Sequence, residues 1–491
     1  MFSLPQFDER GSEPIYRQLF EHIRGEIVSG RLARGSRIPP TRDLATQLGL
    51  NRTTVASAYE LLEKEGLIRG HVGRGSFVAG AGGGSADGFW RSRIASEWLT
   101  EGSLPPMPED CVNFTSARPA GDLFPLAEFR EICAQVIGSN EAERILQLGS
   151  PYGYAPLRRR LLEEAVERGE AKAGDEVMVT NGCQQGLDLL QRVLSGPGDA
   201  VAVEDPIYPG LKSVFQQAGV RVLGVRVTPE GMDVDAFESL AKREKLRLVA
   251  VTPNFQNPTG TTMPAGARRR LLEVARDASV PVLENDVHGA LRYEGEAEPS
   301  LKSMDEAGIV VRLNSFSKIA FPGLRVGWVT GKRELIAAMA ARKQVTDLHS
   351  DQLSQAVLLR FAESGRLAAH VGRMVDAGRR RLSAAMGACR TWLPEGTRFT
   401  QPKGGMNLWV SLPEPLDASA LLERAFAAGV AYLPARYFAI SGAEPGGLRL
   451  SFAHLSEDRI EEGVARLGIV LEDELARARA VWREDPSPAI V

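Results

Sequence analysis

Five stretches of the chain combine residue types that few chemistries need together. They are Asn181-Gly182-Cys183-Gln184-Gln185-Gly186, Asn254-Phe255-Gln256-Asn257-Pro258-Thr259-Gly260, Asn285-Asp286, Ser315-Phe316-Ser317-Lys318, and Arg325 seven residues further on. The first opens a helical pattern, and backbone N–H groups at a helix start attract phosphate. Arg325, Ser315 and Ser317 add donors for the same anion. Lys318 supplies an amine that can condense with a carbonyl, and Asp286 a carboxylate that can hold a proton on a ring nitrogen. A phosphate cradle, an amide, a carboxylate and an amine together are what pyridoxal 5'-phosphate requires. Each alone has a plain alternative. NPTG can be a turn, Asp286 a helix cap, Lys318 a surface lysine and Arg449, in the later run GLRLSFA, half of a structural ion pair. Their order, each at the end of an apolar run, makes the set specific.

A sheet must position these groups. They follow the runs EVMVT, AVAVED, LRLVAVTP, VPVLEND and IVVRLNSF, with RVGWVTG beyond them. Apolar, β-branched runs alternating with helical stretches predict a largely parallel α/β sheet. In such sheets ligands bind at the carboxyl ends of the strands. From roughly 395 to 470, MNLWVSL and GLRLSFA flank one or two helices and predict an α+β lobe.

These motifs resemble fold type I aminotransferases over about 112–470. The resemblance implies that Lys318 forms the internal aldimine and shuttles protons, and that Asp286 pairs with the pyridine nitrogen. It also implies that Asn257 bonds the cofactor's 3′-oxygen and that Gly182, Cys183, Gln184, Ser315, Ser317 and Arg325 surround the phosphate. Tyr208 would lie near the ring, and Arg449 would hold a substrate α-carboxylate. Two positions depart from the pattern. His288 stands two residues after Asp286, where relatives carry Tyr, and its charge is expected to change near neutrality. Leu148 stands where relatives carry a Tyr that reaches the partner's phosphate, with Tyr152 or Tyr154 as substitutes.

The first 80 residues read differently. Ile15, Leu19, Ile23 and Ile27 recur at helical spacing. After Pro39-Pro40, Thr41 is expected to cap a short helix with Leu44, Ala45 and Leu48 on one face, ending at Gly49. Asn51 then caps a third helix, Arg52 to Glu65, with Val55, Ala58, Tyr59 and Leu62 inward. Leu67–His71 and Ser76–Val78 predict a hairpin. Two short helices joined by LGLNR form a helix-turn-helix. Arg52, Thr53, Thr54 and Ser57 would face a DNA major groove, with Arg37 and Arg42 on phosphates and Arg74 at the hairpin tip. The alternative is a three-helix protein-binding module. Residues 12–79 resemble the winged-helix domain of GntR-type bacterial repressors.

The expected organisation is a winged helix at 1–79, a Gly/Ser- and Pro-rich linker at 80–110 with a short helix at 89–100, an aminotransferase-like body at 111–475 and a tail at 476–491. Within the body, 165–345 would form the large lobe, and 111–164 with 346–475 the small one. Net charge is −3 over 491 residues. The first 80 hold 11 Lys+Arg against 9 Asp+Glu, and the rest 48 against 53, so a slightly basic head precedes an acidic body. This is no polycation that coats nucleic acid, and no disordered tail protein. Cys111, Cys133, Cys183 and Cys389 are far apart and no His stands at zinc spacing, so neither disulfide framework nor metal site is expected. No run of 18 apolar residues occurs, and a cytoplasmic protein is expected.

Head and body together resemble the MocR/GabR subfamily of transcription regulators. That implies double-stranded operator DNA, a small amine or amino-acid effector or the cofactor itself as signal, and a homodimer arranged head-to-tail. The alternative expectation is a working pyridoxal phosphate-dependent aminotransferase with a vestigial or localising head.

Overall fold

The computed structural model describes residues 7, 14–28, 31–32, 35–71, 75–78, 108 and 110–484. The chain divides into two compact units, Met1–Met107 and Pro108–Val491. The expected helix at 89–100 and nearly all of the expected linker lie outside the described residues, as does Arg74.

The first unit contains helices α1 (Ile15–Val28), α2 (Thr41–Leu48) and α3 (Arg52–Lys64), then strands β1 (Ile68–His71) and β2 (Gly75–Val78). Leu19, Ile23, Leu44, Val55, Ala58 and Leu62 form one buried cluster. Asn51 Oδ1 accepts from the Thr53 N–H at 3.1 Å, which caps α3. Thr41 is the first helical residue of α2 rather than its cap. Pro40 stands at the cap, with no side-chain hydrogen bond, and Gly49 closes the helix in the left-handed region. β1 and β2 pair antiparallel, and Arg37 bridges Phe77 on the outer edge.

The second unit is built on an eight-stranded sheet. Its strands are β4 (Asp175–Thr180), β5 (Ala200–Asp205), β6 (Arg221–Thr228), β7 (Gly231–Met232), β8 (Leu246–Val251), β9 (Val282–Asn285), β10 (Val310–Ser315) and β11 (Gly327–Lys332). They are preceded by the short β3 (Val112–Asn113). The sheet order is β4-β11-β10-β9-β8-β5-β6-β7. β10, β9, β8, β5 and β6 are mutually parallel, and β11 runs against both of its neighbours. β6 is absent from the runs picked out in the sequence. Arg221, Gly224 and Arg226 interrupt its apolar residues, because the strand lies toward the sheet's edge and is only partly covered.

A second, four-stranded antiparallel sheet contains β13 (Asn407–Ser411) beside β16 (Gly447–Ser451), with β12 (Arg398–Phe399) and β15 (Leu433–Pro434) outside them. It packs against the helices Arg366–Trp392 and Glu457–Glu484. β14 (Val430–Ala431) pairs with β3, so the start of the unit is stitched into this lobe. Residues 126–164 and the helix Gln352–Glu363, both grouped with the small lobe from sequence, pack on each other and also on β4 of the large sheet. The last helix runs on to Glu484, through much of the expected tail.

Candidate cofactor site and nucleic-acid interface

A cavity of about 130 Å³ opens at the carboxyl ends of β8, β9 and β10. The helix α4 (Gly182–Leu194) contributes Cys183, Gln184 and Leu187. Tyr208 enters after β5, Thr252 and Asn257 after β8, and Asn285, Val287 and His288 at the end of β9. Ser315, Ser317, Lys318 and Arg325 close it after β10. A larger cleft of about 1220 Å³, lined by Arg292, Arg398 and Lys403 among others, contains none of Ser317, Lys318 or Arg325. The chemistry belongs to the smaller cavity, where the strand-end groups converge.

Gly182 is the first residue of α4 and has φ +74. A Cβ there would stand 2.3 Å from Arg325 Nη2, so only glycine lets the guanidinium reach the helix start. Arg325 itself has φ 54, a conformation that surrounding structure must impose on a non-glycine residue. Its Nη1 donates to Ser317 Oγ at 3.4 Å and to the Pro322 carbonyl at 3.3 Å. Ser315 Oγ accepts from the Ser317 N–H and donates to Ser317 Oγ, both at 2.9 Å. Behind the helix start, Asp347 accepts from Asn181 Nδ2 at 2.7 Å and Gln185 Nε2 at 2.6 Å, and the buried Lys343 balances its charge. The unpaired first-turn N–H groups, two serines and an arginine fit a phosphate.

Lys318 Nζ donates to the Ala117 carbonyl at 2.6 Å. Burial pushes its amine down to about 8, with Arg449 and Arg325 adding to the shift. Asn257 Oδ1 accepts from Arg449 Nη1 at 3.0 Å. Arg449 is buried, donates also to the Thr115 carbonyl, and lies 5.0 Å over the Phe438 ring. It borders the cavity through Asn257 and does not line it. Tyr208 leans on Gln184, hydroxyl to Oε1 at 3.4 Å. His288 is 2% exposed and both ring nitrogens lack partners. Burial, Lys318 and Arg449 hold it down at about 3, so it stays neutral and does not titrate near neutrality as expected from its type.

Asp286 is the other correction. It does not line the cavity; its Oδ2 accepts from Arg312 Nη2 at 2.5 Å and its Oδ1 from Asn254 Nδ2 at 2.8 Å. Thr252, Leu187 and Val287 line the cavity without having been singled out, and Asn285, quoted beside Asp286, had been given no role. For Asn285 the signal was present, since strand residues alternate faces and Asn285 follows the buried Leu283 by two. Leu148 is 74% exposed. Tyr154 is buried and its hydroxyl reaches Glu141 at 3.4 Å, while Tyr152 packs under Arg158.

In the first unit, Arg52 and Thr53 are exposed at the start of α3, with Thr54 and Ser57 half-buried beside them. Arg37 and Arg42 are exposed, and among the described residues none of Arg37, Arg42 and Arg52 joins an ion pair. Arg69, exposed on β1, adds a cation that the sequence reading passed over. Exposed cations and hydroxyls on a helix-turn-helix suit phosphate and base-edge contact.

Residues 109–467 match the family of class I and II aminotransferases, and residues 15–78 the gntR family of bacterial regulatory proteins. The HTH-type transcriptional regulator TauR of Rhodobacter capsulatus is 30% identical over 94% of this chain and 97% of its own. The probable rhizopine catabolism regulatory protein MocR of Rhizobium meliloti is 27% identical over 94% of each. Among solved structures, LysN, an α-aminoadipate aminotransferase from Thermus thermophilus complexed with N-(5'-phosphopyridoxyl)-L-leucine, is 35% identical with a TM-score of 0.73. That match covers 79% of this chain and 99% of the LysN chain. The chain therefore belongs to the class I and II aminotransferase family, in the MocR-type branch that carries a gntR-family head.

Proposed function

We propose that the chain is a DNA-binding transcriptional regulator whose aminotransferase-like body holds pyridoxal phosphate and responds to an amino compound or to the cofactor itself. One observation carries the reading: a complete lysine-and-phosphate-cradle site and an exposed helix-turn-helix face occur in one polypeptide. The start of α4, Ser315, Ser317 and Arg325 hold the phosphate. Lys318 presents a largely desolvated amine. Asn257 orients the cofactor from the side of Arg449, and Arg449, with its Nε unpartnered, receives a carboxylate. When bound, pyridoxal phosphate supplies a carbonyl that condenses reversibly with primary amines. α3 reads the operator through Arg52, Thr53, Thr54 and Ser57, with Arg37, Arg42 and Arg74 on the backbone.

A homodimer is part of this proposal, head-to-tail so that one subunit's head lies against its partner. Leu146, Leu148, Val345 and Leu348 are large exposed apolar side chains, which a second copy would cover favourably. A ligand regulates only if it favours one arrangement of the dimer over another. The second reading, a working aminotransferase, is favoured by the likeness to LysN. Binding of the full chain to its own upstream DNA, with and without pyridoxal phosphate and a panel of amines, tests the regulator. Operator affinity unchanged by all of them rejects it, and steady turnover with a keto-acid acceptor supports the enzyme.

A further inference from the structure

The carboxyl end of β9 carries two side chains of nearly one shape, Asn285 and Asp286, and strand alternation turns them to opposite faces. Asp286 falls with Glu284 on the face where Arg312 lies. Both of its oxygens are engaged, one by Arg312 and one by Asn254. Those partners are themselves fixed. Arg312 also binds Glu170, and Asn254 Oδ1 accepts from Arg268 Nη2 at 2.7 Å. A Cβ at Gly289 would touch the Asp286 carboxylate at 2.5 Å, so that side is closed as well.

Asn285 turns to the face of α4, with Leu283, and enters the cavity beside Thr252 and His288. Its Oδ1 is buried without a partner, and its Nδ2 makes only a 3.4 Å contact with Thr252 Oγ1. Among the described residues lining the cavity none is Asp or Glu. The charges present are the cations Lys318 and Arg325, with Arg449 adjoining, and His288 is neutral. Nearby cations and burial both disfavour a further positive charge.

We propose that Asn285, and not Asp286, meets the ring nitrogen of pyridoxal phosphate and leaves it unprotonated. The site then holds and exchanges primary amines without transaminating them. This rests on the cofactor reading above and narrows it: the ligand is an amine that is bound covalently and released unchanged. Exchange is redox-neutral, since the incoming amine surrenders two hydrogens and Lys318 leaves as an amine carrying two. A protonated ring is the strong acceptor for the electron pair of a bond broken at the amine's own carbon, and without that proton the transamination branch is disfavoured. An amide carries no charge with which to keep that proton.

The test uses the full chain loaded with pyridoxal phosphate labelled with ¹⁵N in the ring. At pH 7 the wild-type ring signal is expected at the unprotonated pyridine position, and in Asn285→Asp at the pyridinium position. Asp286→Asn should leave the signal where wild type has it. A wild-type pyridinium signal overturns the inference, and its loss in Asp286→Asn would return the role to Asp286. If either variant fails to fold, the wild-type spectrum alone decides. Absence of any Schiff-base absorption in the wild type is a separate result, which removes the cofactor reading and this inference with it.

Discussion

The amine of Lys318 gives the most quantitative expectation. Its ordinary pKa is about 10.5, and burial with Arg449 and Arg325 nearby brings it to about 8. At pH 7 an ordinary lysine is neutral in about one molecule in 3,000, and one with the lowered value in about one in eleven, roughly a 300-fold gain in the nucleophilic form. Because the pKa is lowered, the neutral amine appears as pH rises through 8 rather than through 10.5. For full-length protein stripped of cofactor, the rate of cofactor capture should rise about tenfold per pH unit below 8 and level off above it. Stopped-flow absorbance between pH 6 and 10 follows the reaction. Arg449→Met removes one of the cations that hold the amine pKa down, so its inflection should move to higher pH. A wild-type rate that keeps climbing tenfold per unit to pH 10 would refute the desolvation argument, because the amine would then behave as an ordinary surface lysine.

Gly182→Ala forces a side chain into a left-handed conformation, at roughly 1–2 kcal/mol, and drives its Cβ against Arg325. Cofactor Kd in a spectrophotometric titration should rise at least about tenfold. Lys318→Ala should abolish the Schiff-base band while phosphate still binds. Arg52→Ala should weaken operator binding and lower the slope of log affinity against log salt by about 1 if the side chain meets a phosphate; an unchanged slope would place it on a base edge. Leu62→Ala empties a fully buried position in the head core and should cost about 2–5 kcal/mol, read as an earlier denaturant midpoint for loss of DNA binding.

The groups proposed to cradle a phosphate, and the helix-turn-helix, were legible because their determinants are local. Gly182, the serines and Lys318 sit within single strand–loop–helix turns, and Asn51 caps the helix that it adjoins. Local motifs give residue order but not orientation. The sequence reading took the only acid of the Asn285-Asp286 pair for the ring partner because its chemistry was right. It likewise gave His288 the titration of a free imidazole, although desolvation by residues far away in sequence keeps it neutral. β6 escaped notice because a strand beside the sheet's edge, only partly covered, has no need of a continuous apolar run.

By itself, then, the amino-acid order determined the two units, the α/β sheet with its ligand edge and the groups able to hold a phosphate and a carbonyl. Only the tertiary structure decided which side chain faces that ligand. The pairing of β9 with β10 brings Arg312, 26 residues downstream, onto the face of Asp286. A largely covered arginine draws carboxylates around it because an unpaired charge there is costly; Arg312 takes Asp286 together with Glu170, and those long-range ion pairs leave an amide, not an acid, in the cavity.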